Sequence, residues 1–108
     1  MNRTTVRAAA LAAYYMARFN SNLGYDSATQ AFDAIASLTG IDASTIKTGM
    51  RDSFDYYYPW RAGWDLGEPE KRAGWDRYDL GEVFEAGNKC SQAELEQTLM
   101  LLGLWKGY

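Results

Sequence analysis

The sequence predicts an all-α fold: a compact bundle of about five helices in one domain spanning residues 1–108, with a helix-turn-helix-like hairpin and an aromatic-rich loop. Three observations predict it. Apolar residues recur at helical spacing through most of the chain, and no stretch alternates with period two. Gly, Pro, Asn and Ser gather between those periodic runs, where breaks are expected. Hydrophobic residues make up 47% of the chain, enough for one modest core.

The first helix is expected from about Thr5 to Asn20. It is rich in Ala, the best helix former, and carries two apolar rows: Val6, Ala10, Ala13 and Ala17, then Leu11, Tyr15 and Phe19. Two rows predict burial on two sides. The opening "MNRTTVRAAALAAYYMARFN" has arginines ahead of a short apolar run, as a leader would. Tyr14, Tyr15, Arg18 and Asn20 interrupt that run, which favours a helix of the folded domain, no membrane span and a cytoplasmic protein. In "NSNLGY", Asn and Gly suit a left-handed cap.

The second helix is expected from Ser27, as N-cap, to Thr39, with Gly40 ending it and Ala28, Ala31, Phe32, Ile35 and Leu38 facing inward. A third follows a short turn, capped by Asp42 or Ser44. Ile46, Met50, Phe54 and Tyr57 form its apolar row, and Pro59 disfavours helix at Tyr58. Gly49 lies inside this helix at a cost of about 1 kcal/mol against Ala, which predicts a close contact there. The stretch from Pro59 to about Trp75 reads as irregular, with "RAGWD" at 61–65 echoed at 72–76. A fourth helix is expected from Asp76 or Asp79 to Ala86, stopped by Gly87. The fifth opens on "SQAE", an S-x-x-E capping box at Ser91–Glu94, and buries Leu95, Leu99 and Leu102. The tail "GLWKGY" leaves helix geometry, with Trp105 folding back on the core.

The net charge of −3 is unevenly placed. Residues 1–22 hold three arginines and no acid, 23–42 three aspartates and no base, and 79–108 five acids against two lysines. No segment forms a strongly basic stripe, which argues against a nonspecific nucleic-acid binder. The chain has no His and one cysteine, Cys90, so the commonest general base, a Cys–His pair and an internal disulfide are all excluded. The spaced carboxylates Asp52/Asp55 and Glu82/Glu85 read as solvated or ion-paired rather than as a catalytic dyad. No phosphate loop, dinucleotide fingerprint or calcium loop occurs. The expectation is a protein that is not an enzyme and has no cofactor, metal or small-molecule substrate.

Two features point to binding. Ala36, Gly40 and Ile46 have helix-turn-helix spacing: a small residue, a turn glycine and an aliphatic anchor, with Ile41 also fitting and Gly49 departing. As a reader, the third helix would present Ser44, Thr45, Lys47, Thr48 and Arg51 to DNA, against repulsion from Asp52 and Asp55. An ordinary tight hairpin meets the same spacing. The second feature is "FDYYYPWRAGWD", Phe54 to Asp65. Trp60, Trp64 and Trp75 are expected chiefly to pin the long loop to the bundle. Tyr56, Tyr57 and Tyr58 cannot all point inward, so at least one is displayed, with Tyr57, Trp60 and Arg61 as further candidate contacts.

The pattern "YYMARFN…LGYDSATQAFDAIASLTGIDASTIKTGMRDSFDYYYPWRAGW" resembles the N-terminal helical module that precedes the nuclease domain in some HNH-type restriction and defence endonucleases. The resemblance covers roughly the first two-thirds of the chain. It runs through Ala17–Phe19, Leu23–Tyr25, Ala31, Phe32 and Gly40, then Ile46, Lys47, Arg51, Asp52, Phe54 and Asp55, and ends at Arg61, Gly63 and Trp64. One more pair of helices stands where the nuclease would follow, so neither nuclease activity nor a metal site is carried over. The resemblance implies a docking surface around Lys47, Arg51 and Arg61. The favoured expectation is a phage or mobile-element inhibitor docking on a DNA-processing defence complex, of anti-CRISPR or anti-restriction type. The alternative is a helix-turn-helix-like DNA-binding module or regulator.

Overall fold

The Ala-rich N-terminal segment forms α1 over Arg3–Phe19, one turn-fraction earlier than its apolar rows alone suggest, because Asn2 caps it by accepting from the Thr5 amide at 2.8 Å. Asn20 closes it in the left-handed conformation. The computed structural model describes residues 2–61 and 68–106; Gly63 and Trp64, which the sequence reading singled out, lie outside the described residues. Both predicted sides of α1 are covered: every residue from Ala9 to Ala17 except half-buried Leu11 is fully buried. A run of small alanines lets the other elements approach its backbone closely.

α2 spans Ala28–Thr39, with Ser27 accepting from the Gln30 amide and left-handed Gly40 ending it. Ala31, Phe32 and Ile35 face the core, but Leu38 is exposed, contrary to expectation. The helix stops at Thr39, the chain reverses at Gly40, and Ile41 fills the buried place instead.

The third helix is not the α-helix the spacing predicts. Thr45–Arg51 is a π-helix, and only Asp52–Asp55 is α-helical (α3). The Asp52 amide reaches back five residues to the Lys47 carbonyl. The predicted row still lands inward: Ile46, Met50 and Phe54 are fully buried. Gly49 makes the close approach foreseen for it, facing the Tyr78 ring, which a Cβ there would meet at 3.4 Å.

Beyond the described gap, a 3₁₀ turn at Pro69–Lys71 leads into a short α4, Ala73–Arg77, and then α5, Leu80–Asn88. Two expectations are corrected here. The segment before Trp75 is partly helical, and Gly87 lies inside α5 instead of stopping it. Gly87 is there because Tyr14 of α1 lies against it: a Cβ would fall 2.4 Å from the Tyr14 ring. α6, Gln92–Leu101, opens with the predicted capping box, Ser91 and Glu94 each bonding the other's amide. Leu95 and Leu99 are buried, but Leu102 is exposed. Gly103 turns left-handed (φ 76°) and Leu104 donates to the Leu99 carbonyl at 2.9 Å, so Leu104 takes the inward place in a Schellman ending. Trp105 folds back as expected, edge-on to Tyr15 at 5.2 Å.

The described residues thus form a small all-α bundle around α1, without a strand among them. None of its helices is long and apolar enough to cross a membrane.

Candidate functional site

The aromatic segment divides into an inner and an outer set. Phe54 packs edge-on to Tyr14 at 5.4 Å and meets Trp75 at 6.0 Å, while Tyr57 lies 4.3 Å from Phe84. Phe84 also meets Trp75 at 6.2 Å, so rings from four elements or their flanks close one cluster. Trp75 is 8% exposed, as its anchoring role predicts. Tyr58 is half-buried, and its hydroxyl titrates well above the usual tyrosine range because of burial and the hydrogen bond with Tyr14. Burial, then the neighbouring Glu70 carboxylate, also raises Tyr57.

Tyr56 and Trp60 form the outer set, 54% and 49% exposed. Trp60 is not loose: its indole N–H donates to the Arg18 carbonyl at 3.0 Å, at the end of α1. There it satisfies one of the carbonyls that a helix C-terminus leaves open. Tyr56 stands edge-on to Tyr57 at 5.3 Å, and Tyr57 is itself wedged into the core cluster. Trp60 therefore anchors and displays at once, combining the two parts that the sequence offers for it.

Beneath this ledge lies a buried ionic cluster. Arg51 Nε–H donates a hydrogen bond to Asp52 Oδ1 at 2.9 Å, and Nε sits 3.1 Å from Asp55 Oδ2. Its single N–H points at Asp52, so Asp55 Oδ2 gains charge contact without a hydrogen bond. Arg61 supplies the other contact, donating from Nη1 to Asp55 Oδ1 at 2.8 Å and from Nη2 to Asn20 at 3.4 Å. Two cations and two anions balance, and the Arg51 guanidinium lies 5.1 Å over the Phe32 ring. Burial raises the Asp55 pKa, opposed by Arg51 and Arg61, and burial lowers that of Arg61.

This cluster corrects two expectations. Arg51 is 5% exposed, so it is not displayed beside Lys47 for a partner or DNA. Asp52 and Asp55 are ion-paired, one of the two states expected of them, but buried with Arg51, so they do not stand in solvent to repel phosphate. The cause is helical pitch. In an α-helix, residues 44 and 51, two turns apart, would share a face. The wider π turn carries Arg51 off that face and inward. Ser44, Lys47 and Thr48 remain exposed, Thr45 is half-buried, and Arg61 is half-buried as the clasp on Asp55.

The candidate contact residues consequently fall at the two ends of one helical run. Ser44, Thr45, Lys47 and Thr48 lie at its start, and Tyr56, Tyr57, Trp60 and Arg61 follow its end. Sequence reasoning missed the partners that fix them: Arg18 and Asn20 under Trp60 and Arg61, and Arg72, whose Nη2 donates to the Thr48 carbonyl at 2.6 Å. No local signal marks such pairings between distant segments. Elsewhere, Glu82 is engaged by Arg3 and Arg7, and the Cys90 thiol lies 3.5 Å from the Ala86 carbonyl. No group of three or more metal-ligating side chains occurs among the described residues. No known protein family, characterised protein or solved structure matches the chain.

Proposed function

We propose that this chain is a non-catalytic docking module whose contact surface is the ledge carrying Tyr56 and Trp60. One observation carries the reading: two large amphipathic rings are held half-exposed on a framework that is itself buried and bonded. Tyr and Trp are favoured interface anchors because they add large apolar area at little entropic cost. The Arg61–Asp55 clasp and the Trp60–Arg18 bond settle that cost before any partner arrives. A ring needed only for packing would be turned in, as Trp75 is.

The resemblance to the helical module of defence endonucleases supplies the partner class, a protein of a DNA-processing defence complex. On that reading the chain is an inhibitor of anti-CRISPR or anti-restriction type, and docking alone blocks the complex. Its ionisable groups support a binding role, because the carboxylates nearest the ledge are committed to arginines.

Site-specific photo-crosslinking tests the surface. A crosslinking residue replacing exposed Tyr56 is expected to capture the protein that wild-type chain retains from an extract of its source organism. The same residue at exposed Thr29 is expected to capture none. Capture from Thr29 and not from position 56 would overturn the reading.

A further inference from the structure

Trp75 is turned into the ring cluster, but one edge of it is left over. Among the described residues nothing accepts from its indole N–H, whereas that of Trp60 is taken by the Arg18 carbonyl. A tryptophan buried to this degree ordinarily finds an acceptor. The nitrogen faces Gly81 instead: a Cβ there would fall 3.1 Å from Trp75 Nε1. Gly81 lies inside α5 without a positive φ, so no turn demands a glycine at that place. Its missing side chain leaves the indole edge open to a cavity of about 270 Å³ that both residues line. The other walls are Asp76, Asp79, Glu82 and Glu85. Arg3 and Arg7 of α1 answer Asp79 and Glu82. Asp76 and Glu85 are exposed and carry no ion pair among the described residues. Arg77, beside Asp76 in the chain, lines a different cavity with Asp42 and lies 5.6 Å over the Tyr78 ring.

We propose that this cavity binds a basic peptide segment of a partner protein: a Lys or Arg side chain pairs with Asp76 and Glu85, and a main-chain carbonyl beside it accepts from the Trp75 indole N–H. One ligand then answers both kinds of group. A bare cation would meet the carboxylates and leave the indole donor without an acceptor. Among the described residues no three carboxylates stand where they could hold a metal ion. A quaternary ammonium has no N–H to donate, and with Trp75 8% exposed little of its ring face is open to one. The space suits one long side chain with adjoining main chain, being smaller than the roughly 300–1,000 Å³ of sites for drug-sized ligands. Residues 79–108 set five acids against two lysines, a charge that draws a basic segment in. The site shares no residue with the docking ledge and stands or falls without it.

Titration of isotope-labelled protein with short capped peptides of Gly and Ser carrying Arg tests this, followed by NMR at the Trp75 indole N–H. The Arg peptide is expected to move that resonance at millimolar concentration or below, and less so as salt is raised. A peptide with Gln in place of Arg is expected not to move it, and neither is spermidine, a polyamine without a carbonyl. Asp76→Asn and Glu85→Gln together are expected to weaken binding of the Arg peptide by about tenfold, the loss of two charged contacts. Both positions are exposed, so the thermal melt is expected to stay unchanged. An indole resonance unmoved by the Arg peptide would overturn the proposal. So would an equal shift with the Gln peptide or with spermidine, or undiminished affinity in the double variant. A Tyr56→Ala, Trp60→Ala variant is expected to bind the Arg peptide as wild type does, so failure of the ledge and failure of this site are separable.

Discussion

Arg51 and Asp55, one helical turn apart, stand 3.1 Å from each other in the interior, and the Arg51 N–H closes on Asp52. The guanidinium that local pattern places on the surface is thus a buried counter-ion. Arg51→Ala leaves two buried carboxylates facing one arginine, a loss of about 3–5 kcal/mol, a large part of the stability of a small domain. Lys47→Ala, at an exposed position of the same helix, is expected to stay within about 0.5 kcal/mol. Urea denaturation of the two variants checks the contrast; equal and small losses would place Arg51 on the surface.

Gly87→Ala is expected to destabilise, although Ala for Gly inside a helix ordinarily gains about 1 kcal/mol. The new Cβ meets the fully buried Tyr14 ring, and overpacking of this kind costs about 1–3 kcal/mol. The sign of the change in the denaturation midpoint decides it.

The tryptophans are expected to separate. Trp75→Ala empties the centre of the ring cluster and costs about 3–5 kcal/mol. Trp60→Phe loses one hydrogen bond to the Arg18 carbonyl, about 1 kcal/mol, and keeps the fold. Thermal melts followed by helical circular dichroism compare the two.

Two carboxylates shifted in opposite directions act oppositely on the acid limb. Glu94 is held below its ordinary pKa of 4.5 by the Ser91 amide and then the Ser91 side chain. The stability it contributes is present above 4.5 and is lost as pH falls through its folded pKa. The advantage of wild type over Glu94→Gln is therefore expected to shrink on acidification. Asp55 runs the other way, since burial raises it above 3.8 and its protonation favours the folded state as pH falls toward that value. Carboxyl NMR titration is expected to place the Asp55 midpoint above that of Asp79, which hydrogen bonding to Arg3 lowers.

Much of the frame was legible from short-range signals. Ser27, Gly40 and the Ser91–Glu94 box act within a few residues, and the row Ile46, Met50, Phe54 survives a change of helix type. The losses share a cause. Gly87 reads locally as a stop, while its reason is a tyrosine on α1. Leu38 and Leu102 fit their periodic rows, but left-handed glycines reverse the chain just beyond and pass the inward place to Ile41 and Leu104. The π turn has no composition of its own, so α-helical spacing groups Arg51 with exposed Lys47. Of the candidate contacts, displayed Tyr56 was legible because three consecutive tyrosines cannot all turn inward. Trp60 is read both as a pin and as a candidate contact, but what holds it is not legible, because its bond partner is a main-chain carbonyl on another helix.

The most direct measurement is calorimetric binding of the purified partner to a Tyr56→Ala, Trp60→Ala double variant, with its thermal melt taken alongside. The account predicts a melt close to that of wild type and an affinity lower by about 30-fold or more, since interface anchors are worth at least about 2 kcal/mol. Undiminished affinity, or collapse of the fold showing that the rings are core, would contradict it.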